Sequence, residues 1–283
     1  MSDPHPDLRQ PLERLNENEQ LKARSRHLRG TISEGLDDLL TGAVPGEDPL
    51  LMKFHGIYQQ DDRDRRADRR QRRLEPAYQF MVRLRIPGGV LDKHQWLGLD
   101  CLSRLYAERG LRITTRGTLQ LHGVRKPHLR PLIQGLLPLG LDTIAACGDD
   151  SRGVVCGANP YLSQAHERLQ KLAQITSDRL IPKTGAYADI WYRQPTPVRD
   201  DEEPVYGELY LPRKFKVGFV LPPVNDVDIY GQDLGYIAVV DNGDLIGFNV
   251  CVGGGMGQLD NREDSYPRLA EEIGFIDADE APA

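Results

Sequence analysis

The stretch from Leu111 to Gly123, Leu-Arg-Ile-Thr-Thr-Arg-Gly-Thr-Leu-Gln-Leu-His-Gly, constrains the fold more than any other part of the 283-residue chain. Leu111 and Ile113 alternate with Arg112 and Thr114. After a break at Thr115-Arg116-Gly117, Leu119 and Leu121 alternate with Gln120 and His122. Period-two alternation predicts two strands, each with one buried and one open face. The open face carries two arginines, an amide and an imidazole, with threonines between. Forked guanidinium donors of this kind suit a ligand with several carboxylates or another polyanion. A solvated face carrying ordinary salt bridges is the alternative that this stretch leaves open.

The flanking segments complete a unit around these strands. Phe80, Val82, Leu84 and Ile86 alternate with Met81, Arg83 and Arg85, predicting a strand that Pro87-Gly88-Gly89 ends. Asp92 can cap a helix in which Trp96, Leu99, Leu102 and Leu105 recur at helical spacing, closing at Gly110, with Cys101 as a small core residue. A second helix places Leu129, Leu132, Ile133 and Leu136 on one side, and Thr143 to Cys147 reads as a last strand. The order β-α-β-β-α-β is ferredoxin-like. Two helices cover one face of such a sheet, leaving the other for Arg83, Arg112 and Arg116.

Upstream, Asn16 to Arg29 reads as a helix, Pro45 to Pro49 as a turn and Leu50 to Tyr58 as a strand-like run. Arg63 to Arg73 holds seven arginines, with five acids between Asp61 and Glu75. Such interleaving predicts a solvated arm laced with ion pairs; a contact with an anionic ligand or partner is the sharper alternative. Downstream, Gly148 to Gly153 marks a change of character. Val154 to Cys156 is apolar, Gly157 to Pro160 a loop, and a helix is predicted over 163–180. Strands follow at Tyr187–Tyr192, Lys214–Leu221 and Tyr236–Val240, with Leu245–Val252 as the last. Asp241-Asn242-Gly243-Asp244 is a hairpin signal. The amides of Gly253 to Gly257 are candidates to face an anion, and the acidic tail from Asp277 is expected to fray. Lys214 and Lys216, two apart, fall on one face of a strand; solvated edge lysines and an anion between them are both compatible with that.

Composition bounds the class. With 39% apolar and 28% charged residues and a formal charge of −6, the chain is a globular protein. An acidic balance argues against a general nucleic-acid binder. No apolar run reaches the ~20 residues that cross a bilayer, and Met-Ser-Asp-Pro-His-Pro lacks the layout of a signal peptide. A cytoplasmic location is expected. Cys101, Cys147, Cys156 and Cys251 form no CxxC clip, so neither a metal-ligand signature nor a disulfide is expected.

Together the segments resemble the sulfite/nitrite reductase family. The resemblance rests on Leu28-Arg29-Gly30-Thr31, on the run from Lys53 to Asp64 (Lys-Phe-His-Gly-Ile-Tyr-Gln-Gln-Asp-Asp-Arg-Asp), and on Arg85-Ile86-Pro87-Gly88-Gly89. Asn159-Pro160-Tyr161, Tyr210 to Lys216 (Tyr-Leu-Pro-Arg-Lys-Phe-Lys) and Gly247-Phe248-Asn249 extend it along nearly the whole chain. The Phe-His-Gly-Ile-Tyr-Gln-Gln-Asp-Asp arm is similar to the NADPH-linked, assimilatory sulfite-reducing type, and to its amino-terminal half.

The resemblance implies an α+β chain: an amino-terminal arm over 1–75, a ferredoxin-like half-domain over 76–147 and a mixed α+β sirohaem-binding domain over 148–283. It implies six-electron reduction of sulfite to sulfide on sirohaem coupled to a [4Fe–4S] cluster, with electrons from a flavoprotein (alpha) subunit. Arg83, Arg152, Lys214 and Lys216 match the family's cationic substrate-site residues. Arg112, Arg116, Gln120, His122 and Arg213 match cofactor contacts to the carboxylates of sirohaem. Gly117 stands where the family pattern has Gln. The cysteines that ligate the cluster belong to a carboxy-terminal half beyond residue 283, so no metal ligand is assigned here. The chain alone is therefore expected not to turn over sulfite, and as a half protein to present a sticky apolar face. The rival readings are a sirohaem nitrite reductase, a non-catalytic tetrapyrrole-binding or assembly module, and an RNA-binding module using Arg63 to Arg73, which the interleaved acids disfavour.

Overall fold

Alternation along Tyr78–Arg83 and Leu119–Val124 builds the first of two sheets. In the computed structural model, which describes residues 11–157, 159–195, 202–258 and 265–281, β1 (Ile57–Asp61), β2 (Tyr78–Arg83), β3 (Leu111–Ile113) and β4 (Leu119–Val124) pair antiparallel in the order β1-β2-β4-β3. The Met-Ser-Asp-Pro-His-Pro terminus and Ala158 of the expected loop lie outside the described residues. The apolar sides of β2 and β4 (Phe80, Val82, Leu121) share a buried core with Leu99 of α5 (Lys93–Tyr106) and with Leu129, Leu132, Ile133 and Leu136 of α6 (Lys126–Leu136). Asp92 starts α5 as expected: its carboxylate accepts from Gln95 N at 2.8 Å, and the Gln95 side chain accepts from Asp92 N at 3.0 Å. The helix buries a narrower stripe than the sequence predicts. Trp96 and Leu105 are exposed and so is Cys101, which is not a core residue.

Two further expectations are corrected in this half. Leu50 to Tyr58 is strand-like only at its end. Helix α3 (Asp48–Leu51), with Pro49 in its first turn, runs into a 3-10 turn over Met52–His55. Gly56 stops it at φ 78°, and β1 begins at Ile57. A Cβ on Gly56 would lie 2.4 Å from Thr143 O, so only glycine fits there. Thr143 to Cys147 is not a strand: β1 and β4 take the two sheet positions beside β2. The segment folds back instead: Asp142 Oδ1 accepts from Ile144 N at 3.0 Å, Ala145 takes φ 53°, and Ala145 N donates to Phe54 O at 3.0 Å.

The amino-terminal segment belongs to the same core. Helix α1 (Glu17–Arg24) is capped by Asn16, and α2 (Ile32–Asp37) buries Ile32 and Leu36. Short α4 (Arg66–Gln71) carries the arginine-rich run and has no buried residue. Tyr187 to Tyr192 also joins this core, as a π-helical turn at Ala188–Tyr192 rather than a strand. Helical spacing delivers Tyr187, Ile190 and Trp191 to one interior, where Trp191 Nε1 donates to His55 Nδ1 at 3.2 Å.

The second sheet runs β5-β6-β7-β8-β9: β5 (Val155–Gly157), β6 (Val217–Val220), β7 (Leu234–Asp241), β8 (Asp244–Val252) and β9 (Glu271–Asp277). The first three strands are parallel and the rest antiparallel. Asn242 and Gly243, at φ 49° and 91°, make the expected hairpin turn. Helix α7 (Gln164–Arg179) packs Leu169, Leu172 and Ala173 against Val217, Phe219 and Phe248. Leu245–Val252 is not the last strand: β9 follows it, with Ile273 and Phe275 exposed. Nor does the tail fray within the described residues, since Ala278 and Ala281 are buried and the Tyr236 hydroxyl donates to Ala281 O at 3.0 Å. The two sheets meet at Arg85, whose guanidinium forks onto Asp142 and reaches Asp178 of α7. Among the described residues no helix is long and apolar enough to cross a membrane.

Candidate anion-binding site

Strand register sets out the first row of the site. Arg83 on β2 is directly opposite Gln120 on β4, and Gln120 is opposite Arg112 on β3, so all three side chains leave the sheet on the face that α5 and α6 do not cover. The Gln120 amide turns its oxygen to Arg83, accepting from Nη2 at 2.7 Å and Nε at 3.0 Å, and its nitrogen to His122 Nε2 at 2.9 Å. His122 therefore accepts at Nε2 and is neutral. Burial, then the charges of Arg112, Arg83 and Arg109, lowers its pKa. Arg112 and His122 line an open cleft of about 510 Å³ together with Gln60, Gln79 and Arg109.

Arg116 sits in the turn between β3 and β4. Gly117 takes φ 61° there, and Thr114 N donates to Thr118 O at 2.9 Å. The turn throws Arg116 across to the second sheet, where Nη1 donates to Gln232 Oε1 and Nη2 to Gly153 O, both at 2.9 Å. Arg152 is set by a short parallel bridge between Ser151 and Phe215: Phe215 N donates to Asp150 O at 2.9 Å and Arg152 N to Phe215 O at 2.8 Å. Lys214 and Lys216 flank Phe215 in that bridge and so stand beside Arg152.

Arg83, Arg116, Arg152, Lys214 and Lys216 thereby line one cavity of about 220 Å³, with Thr114, Thr115 and Thr118 among its other walls. Among the described residues none of these cations is ion-paired to a carboxylate. They bond neutral groups instead: Arg83 to Ala146 O and Cys147 Sγ, Arg152 to Gly148 O, Lys216 to Gly231 O. Asp233 is the acid whose charge the lysines feel, and it is engaged by Lys216 N at 2.8 Å. Burial lowers the pKa of both lysines. Arg152 and the neighbouring lysine lower that of Lys214 further, and Arg116, Arg213 and Arg152 that of Lys216. Arg116 feels the same burial and the same repulsion from Arg152 and Arg83. Packed like charge of this kind is stabilised by an anion placed among it.

Arg213 does not line this cavity; it is exposed and acts on Lys214 and Lys216 through its charge. The glycine run does not present an anion nest either. Gly253, Gly254 and Gly255 donate their amides to Asp233 O, Gln232 O and Arg268 O. The sequence reading did not single out Gln232, which holds Arg116, or Cys147, which holds Arg83. Gln232 lies in no motif, and only the pairing of the two halves brings it to the site.

A family model described as the nitrite/sulfite reductase ferredoxin-like half domain matches residues 72–139, and one described as the nitrite and sulphite reductase 4Fe-4S domain matches residues 172–283. The chain is 55% identical over 274 residues to the NADPH sulfite reductase hemoprotein beta-component of Nitrobacter hamburgensis, covering 96% of this chain and 48% of that protein. The corresponding protein of Nitrosomonas europaea is 54% identical, with the same coverage of each. The chain thus spans about half the length of the curated relatives it matches. Among solved structures, the Mycobacterium tuberculosis NirA protein shares the fold, with a TM-score of 0.62 at 21% identity over 96% of this chain and 44% of that one.

Proposed function

The chain belongs to the nitrite and sulfite reductase family, and we propose that it forms the substrate-anion half of an assimilatory, NADPH-linked sulfite reductase haemoprotein. Sulfite is held by Arg83, Arg152, Lys214 and Lys216 and reduced by six electrons to sulfide. The observation that carries this reading is the cavity of about 220 Å³ in which these cations, with Arg116, bond only neutral groups. It has room for a small oxyanion, and sulfite supplies the negative charge that the surrounding protein withholds. The guanidinium groups of Arg83 and Arg152 fix the anion's orientation. Lys214 and Lys216, whose pKa burial lowers, are better proton donors than a solvated lysine. Their protons go to the oxygens that leave as S–O bonds break, and each amine recovers a proton from water at the cavity mouth.

The open sheet face, with Arg112 as its cation and Gln120 and His122 as polar contacts, fits a polycarboxylate tetrapyrrole, and Arg116 and Arg213 supply further cationic donors outside that face, free of carboxylate partners among the described residues. We assign these five residues to sirohaem. When bound, sirohaem supplies the metal centre that delivers electrons to sulfur. A [4Fe–4S] cluster does not fit this chain's own residues, because no three His, Cys, Asp or Glu side chains converge as ligands among the described residues. Its thiolates are assigned to a carboxy-terminal half corresponding to the remaining length of the relatives. A flavoprotein subunit is the proposed electron donor, and the cytoplasm the proposed location. The relatives' names favour sulfite over nitrite.

The test is a visible absorption spectrum of the chain purified from cells that make sirohaem, alone and co-expressed with a matching carboxy-terminal half. A tetrapyrrole spectrum with sulfite-dependent electron uptake in the co-expressed sample is expected. Colourless protein in both samples contradicts the assignment.

A further inference from the structure

Three consecutive residues, Gly231, Gln232 and Asp233, each hold a group of the anion cavity. They join the 3-10 turn Ile229–Gly231 to the start of β7 at Leu234. Lys216 Nζ donates to Gly231 O at 3.2 Å, and Lys216 N donates to Asp233 Oδ2 at 2.8 Å. Between these two contacts, Gln232 Oε1 accepts from Arg116 Nη1 at 2.9 Å. Arg116 Nη2 donates to Gly153 O, also at 2.9 Å, beside Arg152 in the chain. Gln232 is itself fixed from several sides. It is buried, its N donates to Ile229 O at 3.2 Å and its O accepts from Gly254 N at 3.0 Å. Its amide faces one way only, because Nε2 donates to Val227 O at 2.8 Å and leaves the oxygen for the guanidinium. The strand beside it leaves no slack: a Cβ on Gly218 of β6 would meet Gln232 Cγ at 2.9 Å.

The neutrality of this acceptor matters. Burial, then the charges of Arg152 and Arg83, lowers the pKa of Arg116 to about 10, so its guanidinium is still charged at neutral pH. A carboxylate at position 232 would hold that guanidinium equally well but cancel its charge, as Asp142 does for Arg85. With no acceptor there, a long side chain repelled by two like charges spreads over many rotamers. A bound anion must then order it at the expense of affinity.

We propose that Gln232 is a positioning residue, a neutral tether that carries Arg116 across from the first sheet and fixes it within the anion cavity. Its value for affinity rests on the reading of that cavity as a sulfite site. The test is calorimetric titration of the chain with inorganic sulfite, alongside its Gln232→Met, Gln232→Glu, Arg116→Ala and Arg116→Ala/Gln232→Met variants, each checked for an unchanged thermal melt. Gln232→Met keeps the length of the side chain and loses one hydrogen bond to a charged group, so sulfite binding is expected to weaken about tenfold. In the Arg116→Ala background the same change costs nothing further, because Gln232 acts through Arg116 alone. Gln232→Glu keeps an acceptor but answers the charge, and it too weakens binding about tenfold or more. NMR of the sulfite-free chain gives a second readout. The Arg116 Nη protons are resolved by hindered rotation in the unaltered chain and in Gln232→Glu, and averaged in Gln232→Met. Unchanged sulfite affinity in Gln232→Met overturns the tether while leaving the anion site standing. So does a loss that persists in full in the Arg116→Ala background, which marks packing rather than positioning. Should Gln232→Met fail to fold, Gln232→Glu carries the test, and unchanged affinity there overturns the tether. A chain that binds no sulfite, yet whose Arg116 signals depend on Gln232, removes the sulfite reading and keeps the tether; Arg116 signals averaged in the unaltered chain remove the tether.

Discussion

Two clusters of cationic side chains occupy this molecule, and they differ in what surrounds them. The segment Arg63–Arg73 is the denser one in sequence, yet its arginines are exposed except for half-buried Arg69, and two of them pair with acids. Arg66 pairs with Asp61, Arg72 with Asp68, and nearby Arg109 with Asp62. The cavity cluster is assembled from four separate stretches of chain and bonds carbonyls, an amide and a thiol. Density of charge in sequence therefore says little about binding capacity. What counts is whether the fold leaves the charge without a carboxylate and partly out of water, where a ligand's charge is worth most.

The largest expected effect comes from giving the cavity its own counter-charge. Lys216→Glu places a carboxylate among Arg83, Arg116 and Arg152 and is expected to weaken sulfite binding by about a hundredfold or more. Calorimetry on a chain with an unchanged melt reads it, and wild-type affinity would erase the distinction between the two clusters. A second change separates scaffold from charge. His55, buried beneath the arm, has its pKa lowered to about 4, chiefly by burial. Nε2–H donates to Leu28 O, and Nδ1 accepts from Trp191. The unfolded chain titrates at 6.5, so it binds more protons than the folded chain between that value and about 4. Stability is complete above pH 6.5 and falls by about 3 kcal/mol as pH drops through that window. Urea denaturation at stepped pH checks this, and His55→Gln flattens the slope.

Arg85 is an intermediate case, an arginine that is partly buried and answered by carboxylates. Arg85→Ala leaves Asp142 without its fork and is expected to cost about 2–3 kcal/mol in urea denaturation, while sulfite affinity changes little. At the small end, Arg66→Ala removes an exposed pair. It is expected to leave both the melting temperature and sulfite affinity unchanged within error. A change in either would give the arginine-rich segment a role that its surroundings do not support.

Much of the first sheet is legible in the sequence because alternation reports a face. Phe80, Val82 and Leu121 go inward, and register then brings Arg83, Gln120 and Arg112 into one row. Capping by Asp92 and the Asn242-Gly243 turn are likewise local chemistry, readable from a few residues. What escapes is settled by competition between distant segments. Thr143 to Cys147 has the apolar character of a strand, but β1 and β4 take the places beside β2, leaving Cys147 to turn inward toward Arg83. Tyr187 to Tyr192 has strand-forming aromatics, yet one core claims Tyr187, Ile190 and Trp191 together and forces a helical turn. In the site, Lys214 and Lys216 are suggested by their spacing, whereas Gln232 has no local signal. Its importance arises from the contact of one sheet with the other.

The most direct measurement is side-chain NMR of the chain, following arginine Nε and lysine Cε resonances as inorganic sulfite is added. The account predicts saturable shifts confined to Arg83, Arg116, Arg152, Lys214 and Lys216, with the resonances of Arg63 to Arg73 showing only the small linear drift of ionic strength. Saturable shifts in Arg63 to Arg73, or the same linear drift in both clusters, would contradict it.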